Sequence, residues 1–198
     1  MNEVTKIIKI RIPATPAERK QLRNTIITYK RACDYVSKHV RKTHELRYTY
    51  LYREISYDLR DMFDINTIMI RSVIKTVTER YDEKYGDSNR RVWRRIKFKR
   101  QSYTPYWNLD YILTEDEFYI NTVEGKLEYS PLLYDRCFGI FSVILFGTAE
   151  LIKRGTKYYI EIPVTFDLEE MELRVEKWFY FMLWILWKPM KRYFLENI

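Results

Sequence analysis

Residues 6–22, KIIKIRIPATPAERKQL, pass from one hydrophobic period to another within a few positions. The first part alternates isoleucine with polar residues, which predicts a strand with one apolar face. Thr15-Pro16-Ala17-Glu18 has the pattern of a capping box with proline at the first helical position. The chain is therefore expected to pass from a strand almost directly into a helix that begins at Pro16.

Three helices are predicted after this strand. Apolar residues recur at steps of three and four up to about Thr43, again over residues 49–63, and again after Asp64 or Asn66 as far as Tyr81. Short connections between helices favour an antiparallel bundle. Gly86 then marks the end of the helical unit.

The outer face of the first helix is strongly basic. Such a face is typically only solvated, and contact with a phosphate backbone is the alternative. The residues concerned are Arg19, Lys20, Arg23, Lys30, Arg31, Lys38 and Arg41.

The second half of the chain reads as short strands. Residues 118–123 and 126–129 flank a Glu-Gly turn signal, and residues 148–153 and 157–166 flank Arg154-Gly155-Thr156. Ile96 and Phe98 alternate with basic residues, which predicts another short strand. With one strand before the helices and several after them, the expected fold is α+β, a small β-barrel with a three-helix bundle inserted after its first strand.

Residues 90–108, RRVWRRIKFKRQSYTPYWN, combine cations with aromatic rings. Seven of the eleven residues from Arg90 to Arg100 are Lys or Arg. This density does not suit a core strand, because a buried unpaired cation is costly. Cations that contact phosphates and rings that contact bases are the simplest use of the mixture, and a solvated basic strand is the alternative. The cations are Arg90, Arg91, Arg94, Arg95, Lys97, Lys99 and Arg100; the rings are Trp93, Phe98, Tyr103, Tyr106 and Trp107.

Composition narrows the class of partner and the compartment. The formal net charge of the 198 residues is +8, which fits an anionic partner but does not by itself separate nucleic acid from a membrane surface.

Cys33 and Cys137 lie far apart with no CxxC context, which favours free thiols over a disulfide or zinc site. The longest apolar runs have ten residues, too few to span a bilayer, and the N-terminus lacks a signal-peptide pattern. A soluble cytoplasmic protein is expected.

The order of five pieces resembles the front half of the TnpB/OrfB proteins, transposon-encoded RNA-guided DNA nucleases related to compact type V CRISPR effectors. The resemblance covers roughly residues 5–167. The pieces are KIIKIRIPATPAERKQL, ACDYVS, LYREISYDLRDMFDINTIMIRSVIKTV, FKRQSYTPYWNL and GTAELIKRGTKYYIEIPVTF.

This resemblance implies a wedge (WED), OB-like β-barrel with an inserted recognition (REC) bundle. The implied division is a first barrel strand over 1–15, the bundle over 16–88 and the rest of the barrel over 89–167. The atypical hydrophobic tail over 168–198 departs from the family. In the family these parts hold the guide RNA scaffold and read a short DNA motif beside the target, while base pairing reads the sequence.

The resemblance also implies particular contact residues. The segment FKRQSYTPY is similar to the family's wedge segment near the target-adjacent motif, and parts of the second and third helices are similar to surfaces that face the same duplex. For the helical residues, the alternatives are a surface ring for Tyr52 and cap roles for Asn66 and Thr67. The implied residues are Gln101, Ser102, Tyr103, Tyr52, Ser56, Asn66, Thr67, Arg71 and Lys75.

The family's nuclease domain has no counterpart in the sequence. After residue 166 the family continues into a RuvC domain whose carboxylates hold two metal ions, whereas this chain continues with DLEEMELRVEKWFYFMLWILWKPMKRYFLENI. Asp167, Glu169, Glu170 and Glu172 are interpreted as acidic residues at a helix N-terminus. No catalytic residue, metal ligand or cofactor is predicted.

The expected function is that of a truncated TnpB/OrfB-like protein without nuclease activity. Structured guide-type RNA is the expected partner, with double-stranded target-flanking DNA as a second one. The alternatives are one half of a split RNA-guided endonuclease, with RuvC on a separate chain, and a non-functional relic. The tail could be a helix that packs on the barrel, an interfacial segment or a frameshifted remnant.

Overall fold

The computed structural model describes residues 3–86, 93–98, 102–114, 118–129 and 143–167. One strand comes first, then three helices, then the remaining strands, so the predicted order is confirmed. The elements are β1 (Glu3–Ile12), α1 (Pro16–Thr43), α2 (Tyr48–Phe63), α3 (Thr67–Tyr85), β2 (Ser102–Tyr103), β3 (Tyr111–Leu113), β4 (Phe118–Thr122), β5 (Gly125–Tyr129), β6 (Val143–Phe146), β7 (Glu150–Arg154) and β8 (Lys157–Asp167).

Side-chain caps fix the starts of α1 and α3. The backbone N–H of Thr15 donates to Glu18 Oε2 at 2.7 Å, and the N–H of Glu18 donates to Thr15 Oγ1 at 3.4 Å. The predicted capping box is therefore present. Asn66 accepts a hydrogen bond from the Met69 N–H at 2.8 Å, which satisfies one of the free donors at the start of α3.

The larger sheet is built around β8. Along one edge, β8 pairs antiparallel with the whole of β1, from Ile12 opposite Tyr158 to Glu3 opposite Asp167. Along its other edge it pairs first with β7 and then with β6, and β2 adds to β7. Because β1 and β2 both belong to this sheet, the three helices between them are an insertion between two strands of one sheet.

The smaller sheet has the order β3-β4-β5, all antiparallel. Within the described strands the two sheets do not close into one barrel. The prediction of a mixed α+β fold with helices inserted after the first strand is thus confirmed, whereas the described strands do not form the closed barrel that was expected. The domain boundaries proposed from the sequence stay predictions.

Helices and sheets share one hydrophobic core. Tyr29 of α1 packs edge-on against Tyr103 of β2, with ring centroids 4.8 Å apart. Gln21 of α1 donates to Thr122 Oγ1 at 2.6 Å, which ties the same helix to the smaller sheet. Helix α1 therefore lies against both sheets. None of the helices in the described part of the chain is both long and apolar enough to cross a bilayer.

Candidate nucleic-acid interface

Residues 93–98 belong to neither a helix nor a strand, so the short strand predicted here is wrong. Trp93 anchors the segment: its side chain is 2% exposed and packs between α1 and α3. Its ring lies 5.4 Å from that of Tyr81 and 5.7 Å from that of Tyr85, and His44 at the end of α1 lies 6.1 Å away. The ring is a core element that holds the segment on the helices.

Helix side chains bind the segment's backbone in place of a neighbouring strand. Ser37 Oγ donates to the Ile96 carbonyl at 2.6 Å, and the Ile96 N–H donates to Tyr81 Oη at 3.3 Å. Tyr85 Oη accepts from the Arg94 N–H at 2.9 Å and donates to the Arg94 carbonyl at 3.1 Å. These bonds satisfy the backbone polar groups of Arg94 and Ile96 without a sheet ladder.

The cations of the segment point outward. Arg94, Arg95 and Lys97 are all exposed. Arg95 lies 3.9 Å from the Asp34 carboxylate and donates to the Asp34 carbonyl at 3.2 Å, so part of its hydrogen-bonding capacity is used within the molecule. Within the described residues, Arg94 and Lys97 form no ion pair. Two of the predicted contact residues thus present uncompensated charge to solvent.

A groove of about 450 Å³ lies between the helices and the strands. Lys30 of α1, Arg80 of α3 and Lys97 contribute positive charge to it, and Glu150 contributes one carboxylate. Arg80 also pairs with Glu83 at 2.9 Å, an exposed contact that leaves the guanidinium accessible. The groove is further lined by Tyr29, Cys33, Thr76, Ile96, Phe98, Ser102, Thr104, Thr148 and Ala149. Lys30 was assigned to the outer helix face, and Arg80 was not singled out from the sequence.

The rings of the basic stretch lie inside the protein. Trp93, Tyr103 and Tyr106 are buried, and Phe98 and Trp107 are half-buried against the core. The prediction that these rings stack on bases is therefore wrong for the three buried ones, including Tyr103, whose side chain has no exposed surface. Burial also raises the pKa of the Tyr103 and Tyr106 phenols. These aromatic side chains pack in or against the hydrophobic core, and this packing explains their presence in the basic stretch without a ligand.

Asp110 is a buried carboxylate that the sequence analysis did not single out. Its Oδ2 accepts from Ser72 Oγ at 2.8 Å and from the Tyr106 N–H at 3.0 Å. Burial raises its pKa, and the two hydrogen bonds oppose the rise. The carboxylate fixes the turn between β2 and β3 against α3, so its role is structural.

Tyr52 and Arg71 lie on a second candidate surface, along α2 and α3. Tyr52 stacks on Tyr48 one turn earlier, with centroids 6.0 Å apart. Burial raises the pKa of Tyr48, and the positive charge of Arg71 on α3 opposes that rise, so this cation lies near the ring pair. Arg71 itself is exposed and forms no ion pair in the described part of the chain.

The start of α3 extends this surface. Thr67 Oγ1 accepts from the Arg60 guanidinium at 3.3 Å, so the end of α2 lies beside the start of α3. Ser56 is half-buried and lies one helical turn before Arg60. Asn66 is exposed, but its side-chain oxygen already serves as the α3 cap. The cap role weighed for Asn66 is confirmed.

Lys75 lies further along α3 and is engaged within the molecule. Its Nζ is 4.2 Å from the centre of the Tyr106 ring and 3.8 Å from Glu79. Tyr106 Oη also donates to Glu79 at 3.0 Å. The cation, ring and carboxylate form one cluster, so Lys75 offers less free charge than Arg71 one turn earlier.

The structure thus separates the predicted residues into two sites. Lys97 and Ser102 line the groove, whereas Arg94 and Arg95 lie on the same segment as Lys97 but do not line it. The residues on α2 and α3 form the other surface. Several predicted residues and features lie outside the described residues: Arg90, Arg91, Lys99, Arg100, Gln101, Cys137 and the tail over 168–198. Cys33 is a free, buried thiol, as predicted.

No protein-family model matches the chain, and a search of the curated proteins found no significant match. Among the described residues, no group of three or more His, Cys, Asp or Glu side chains is arranged to hold a metal ion.

Proposed function

We propose that this chain binds structured, guide-type RNA as a WED/REC-like front half of a TnpB/OrfB-type protein, without nuclease activity of its own. The order of elements supports this, because the three helices are inserted between β1 and β2, two strands of one sheet. In this proposal the two sheets take the place of the wedge barrel and the helices take the place of the recognition bundle.

The observation that carries the proposal is the groove between helices and strands. Lys30, Arg80 and Lys97 reach it from three separate parts of the chain. Within the described residues, Lys30 and Lys97 have no acidic partner. Neutralising phosphates with such cations releases counterions, which is the main source of affinity for nucleic acid.

The buried rings favour folded RNA over a single strand. Proteins that bind single strands stack bases on exposed aromatic side chains, and three rings of the basic stretch are not available for this. Double-stranded RNA is recognised mostly by its shape and its backbone, which needs cations and not rings. The proposed ligand is therefore an RNA with helical regions.

The α2–α3 surface is proposed to contact double-stranded DNA beside the target. Tyr52 and Arg71 place a ring pair and a free cation next to each other, and Thr67 continues the surface. A helix surface with hydroxyls and cations can contact backbone phosphates and position a duplex.

The test compares two triple variants in filter binding. The groove variant carries Lys30→Gln, Arg80→Gln and Lys97→Gln. The control variant removes the same charge elsewhere, with Lys6→Gln, Lys38→Gln and Lys42→Gln, all exposed and without ion pairs in the described part of the chain.

The RNA is a transcript of the DNA that adjoins the coding region, and an unrelated hairpin of equal length is measured in parallel. We expect the groove variant to lose affinity about tenfold to a hundredfold, which corresponds to roughly 1.4–2.8 kcal/mol. The control variant should stay within a few-fold of the unmodified chain. An equal loss in both variants, or equal affinity for both RNAs, would overturn the proposal.

A further inference from the structure

Two adjoining hollows lie at the opposite end of α1 from the Trp93 anchor. One has a volume of about 280 Å³ and the other about 270 Å³. Both are lined by Arg19, Thr156 and Tyr158, so they form one continuous depression. We call it the hairpin cleft, because the turn between β7 and β8 forms one wall and the β1–α1 connection with the first turns of α1 forms the other.

All the charged side chains that line the hairpin cleft are positive. No carboxylate lines either hollow. Within the described part of the chain, none of the six cations forms an ion pair, whereas nearby Arg154 pairs with Glu161 at 3.0 Å. The six cations are Arg11, Arg19, Lys20, Arg23, Lys153 and Lys157.

Arg19 and Tyr158 are held in place before any ligand binds. Arg19 Nε donates to the Ala14 carbonyl at 3.0 Å, which fixes the side chain and leaves its terminal nitrogens to point elsewhere. Tyr158 is buried at the base of the cleft. Burial raises the pKa of its phenol, and the charges of Arg23 and Arg19 oppose the rise, so both guanidinium groups lie near the base.

Six like charges around one depression repel one another, and an anion that enters it removes this cost. Guanidinium groups match phosphate oxygens with two parallel hydrogen bonds, and the Thr156 hydroxyl is a further donor on the same wall. We propose that the hairpin cleft binds backbone phosphates of a nucleic acid, as a contact region separate from the groove.

The position of the cleft connects it with the groove. Arg23 lines the cleft and Lys30 lines the groove, and the two residues are seven positions apart on α1. Seven residues make nearly two turns, so both lie on the same side of the helix, about 10 Å apart along its axis. One RNA could therefore contact both. This inference rests on the proposed function only in taking the same RNA as the ligand.

The surroundings favour nucleic acid over a lipid surface. Peripheral membrane sites usually combine cations with apolar side chains that enter the bilayer. Within the described residues, none of the large exposed apolar side chains lines the cleft. The cleft is also concave, and a nucleic-acid backbone fits a concave surface better than a flat bilayer does.

The test uses a cleft variant with Arg23→Gln, Lys153→Gln and Lys157→Gln, three exposed residues whose side chains form no hydrogen bond or ion pair in the described part of the chain. It is compared with the Lys6/Lys38/Lys42 control for binding of the same transcript. We expect at least a tenfold loss for the cleft variant and a few-fold loss at most for the control. A charge-preserving variant, with Arg23→Lys, Lys153→Arg and Lys157→Arg, should retain most of the affinity, because contact with phosphates depends on the positive charge. Circular dichroism of the cleft variant should match that of the unmodified chain, which separates loss of binding from a folding defect.

The outcomes separate this inference from the proposed function. A loss in the cleft variant without a loss in the groove variant supports the cleft and overturns the groove. A loss in the groove variant alone overturns the cleft. Absence of RNA binding by the unmodified chain overturns both. Binding to vesicles that contain phosphatidylserine, stronger than binding to RNA and abolished in the cleft variant, would also overturn the inference.

Discussion

The two basic regions of this molecule are the 93–98 segment with the adjoining groove, and the hairpin cleft. They differ in how the chain builds them. In the segment over 93–98 the cations are near neighbours in sequence, and the buried Ile96 among them helps to fix the segment on the helices. Lys30 and Arg80 join Lys97 only in the folded groove. In the hairpin cleft the cations come from β1, α1, β7 and β8. A charge run in a sequence therefore shows only one kind of basic site, because the other kind exists only once distant elements pack together.

The largest effect should come from the anchor of the first region. Trp93→Ala removes a fully packed ring from between Tyr81 and Tyr85, and we expect it to lower the free energy of unfolding by about 3–5 kcal/mol. Urea unfolding measures this. Tyr57→Ala is the matched control, because the Tyr57 side chain is 76% exposed, and its effect should stay within about 0.5 kcal/mol. Similar losses for the two variants would show that Trp93 is not a core residue.

A smaller loss of stability is expected from the backbone anchor of the same segment. Ser37→Ala leaves the buried Ile96 carbonyl without its 2.6 Å donor, at a cost of about 1–3 kcal/mol. Ser56→Ala serves as the control, since the Ser56 side chain forms no hydrogen bond within the described residues. Hydrogen exchange of the Ile96 amide should also become faster in the Ser37 variant. Unchanged exchange would mean that the segment is held by its side chains alone.

Local signals explain how much of the fold could be predicted from sequence. The Thr15 capping box, the Asn66 cap and the turn glycines are complete within a few residues of the chain. Gly125 and Gly155 have φ values of +119° and +60°, which residues with a side chain rarely adopt. The two hairpins turn at these glycines. The helices and both hairpins followed from such signals with errors of a few residues.

The segment over 93–98 could not be predicted in the same way. Its alternation of Ile96 and Phe98 with cations has the period of a strand, but hydroxyl groups of Ser37, Tyr81 and Tyr85 take the place of a neighbouring strand. These groups lie far away in sequence or on a different element. The same reason explains why the rings were assigned to bases: the sequence shows that a ring is near cations, not which side of the backbone it occupies.

Binding of duplex DNA should depend on the α2–α3 surface more weakly than RNA binding depends on the two basic regions. Arg71→Gln removes one free cation, and we expect the salt dependence of duplex binding to fall by about one unit of log–log slope. Arg53→Gln is the control, because Arg53 on α2 is already paired with Glu54 at 3.7 Å. An electrophoretic mobility assay at several salt concentrations measures both. Equal slopes for the two variants would remove Arg71 from the proposed contact surface.

The smallest effect concerns a cation that is already neutralised. Arg47 forms hydrogen bonds with Glu45 at 2.7 and 3.0 Å, which lower the pKa of Glu45 to about 2. The Glu45 carboxylate therefore stabilises the fold at pH values above its ordinary pKa. This contribution is lost as the pH falls towards 2. In an NMR titration, Arg47→Gln should raise the Glu45 pKa towards its ordinary value.

RNA affinity should stay unchanged in the same Arg47 variant, because this cation has its own carboxylate. A loss comparable with that of the groove or cleft variants would mean that paired and unpaired cations contribute alike. The contrast between the two basic regions and the rest of the surface would then disappear.

The salt dependence of RNA binding tests the central claim most directly. Each phosphate contact that is lost should lower the slope of log K against log salt concentration by about one. We predict that the Lys30/Arg80/Lys97 variant binds the transcript with a slope about two to three units smaller than that of the unmodified chain, while the Lys6/Lys38/Lys42 control keeps the original slope. The same slope for all three proteins would contradict the account, because the groove cations would then make no contact with phosphate.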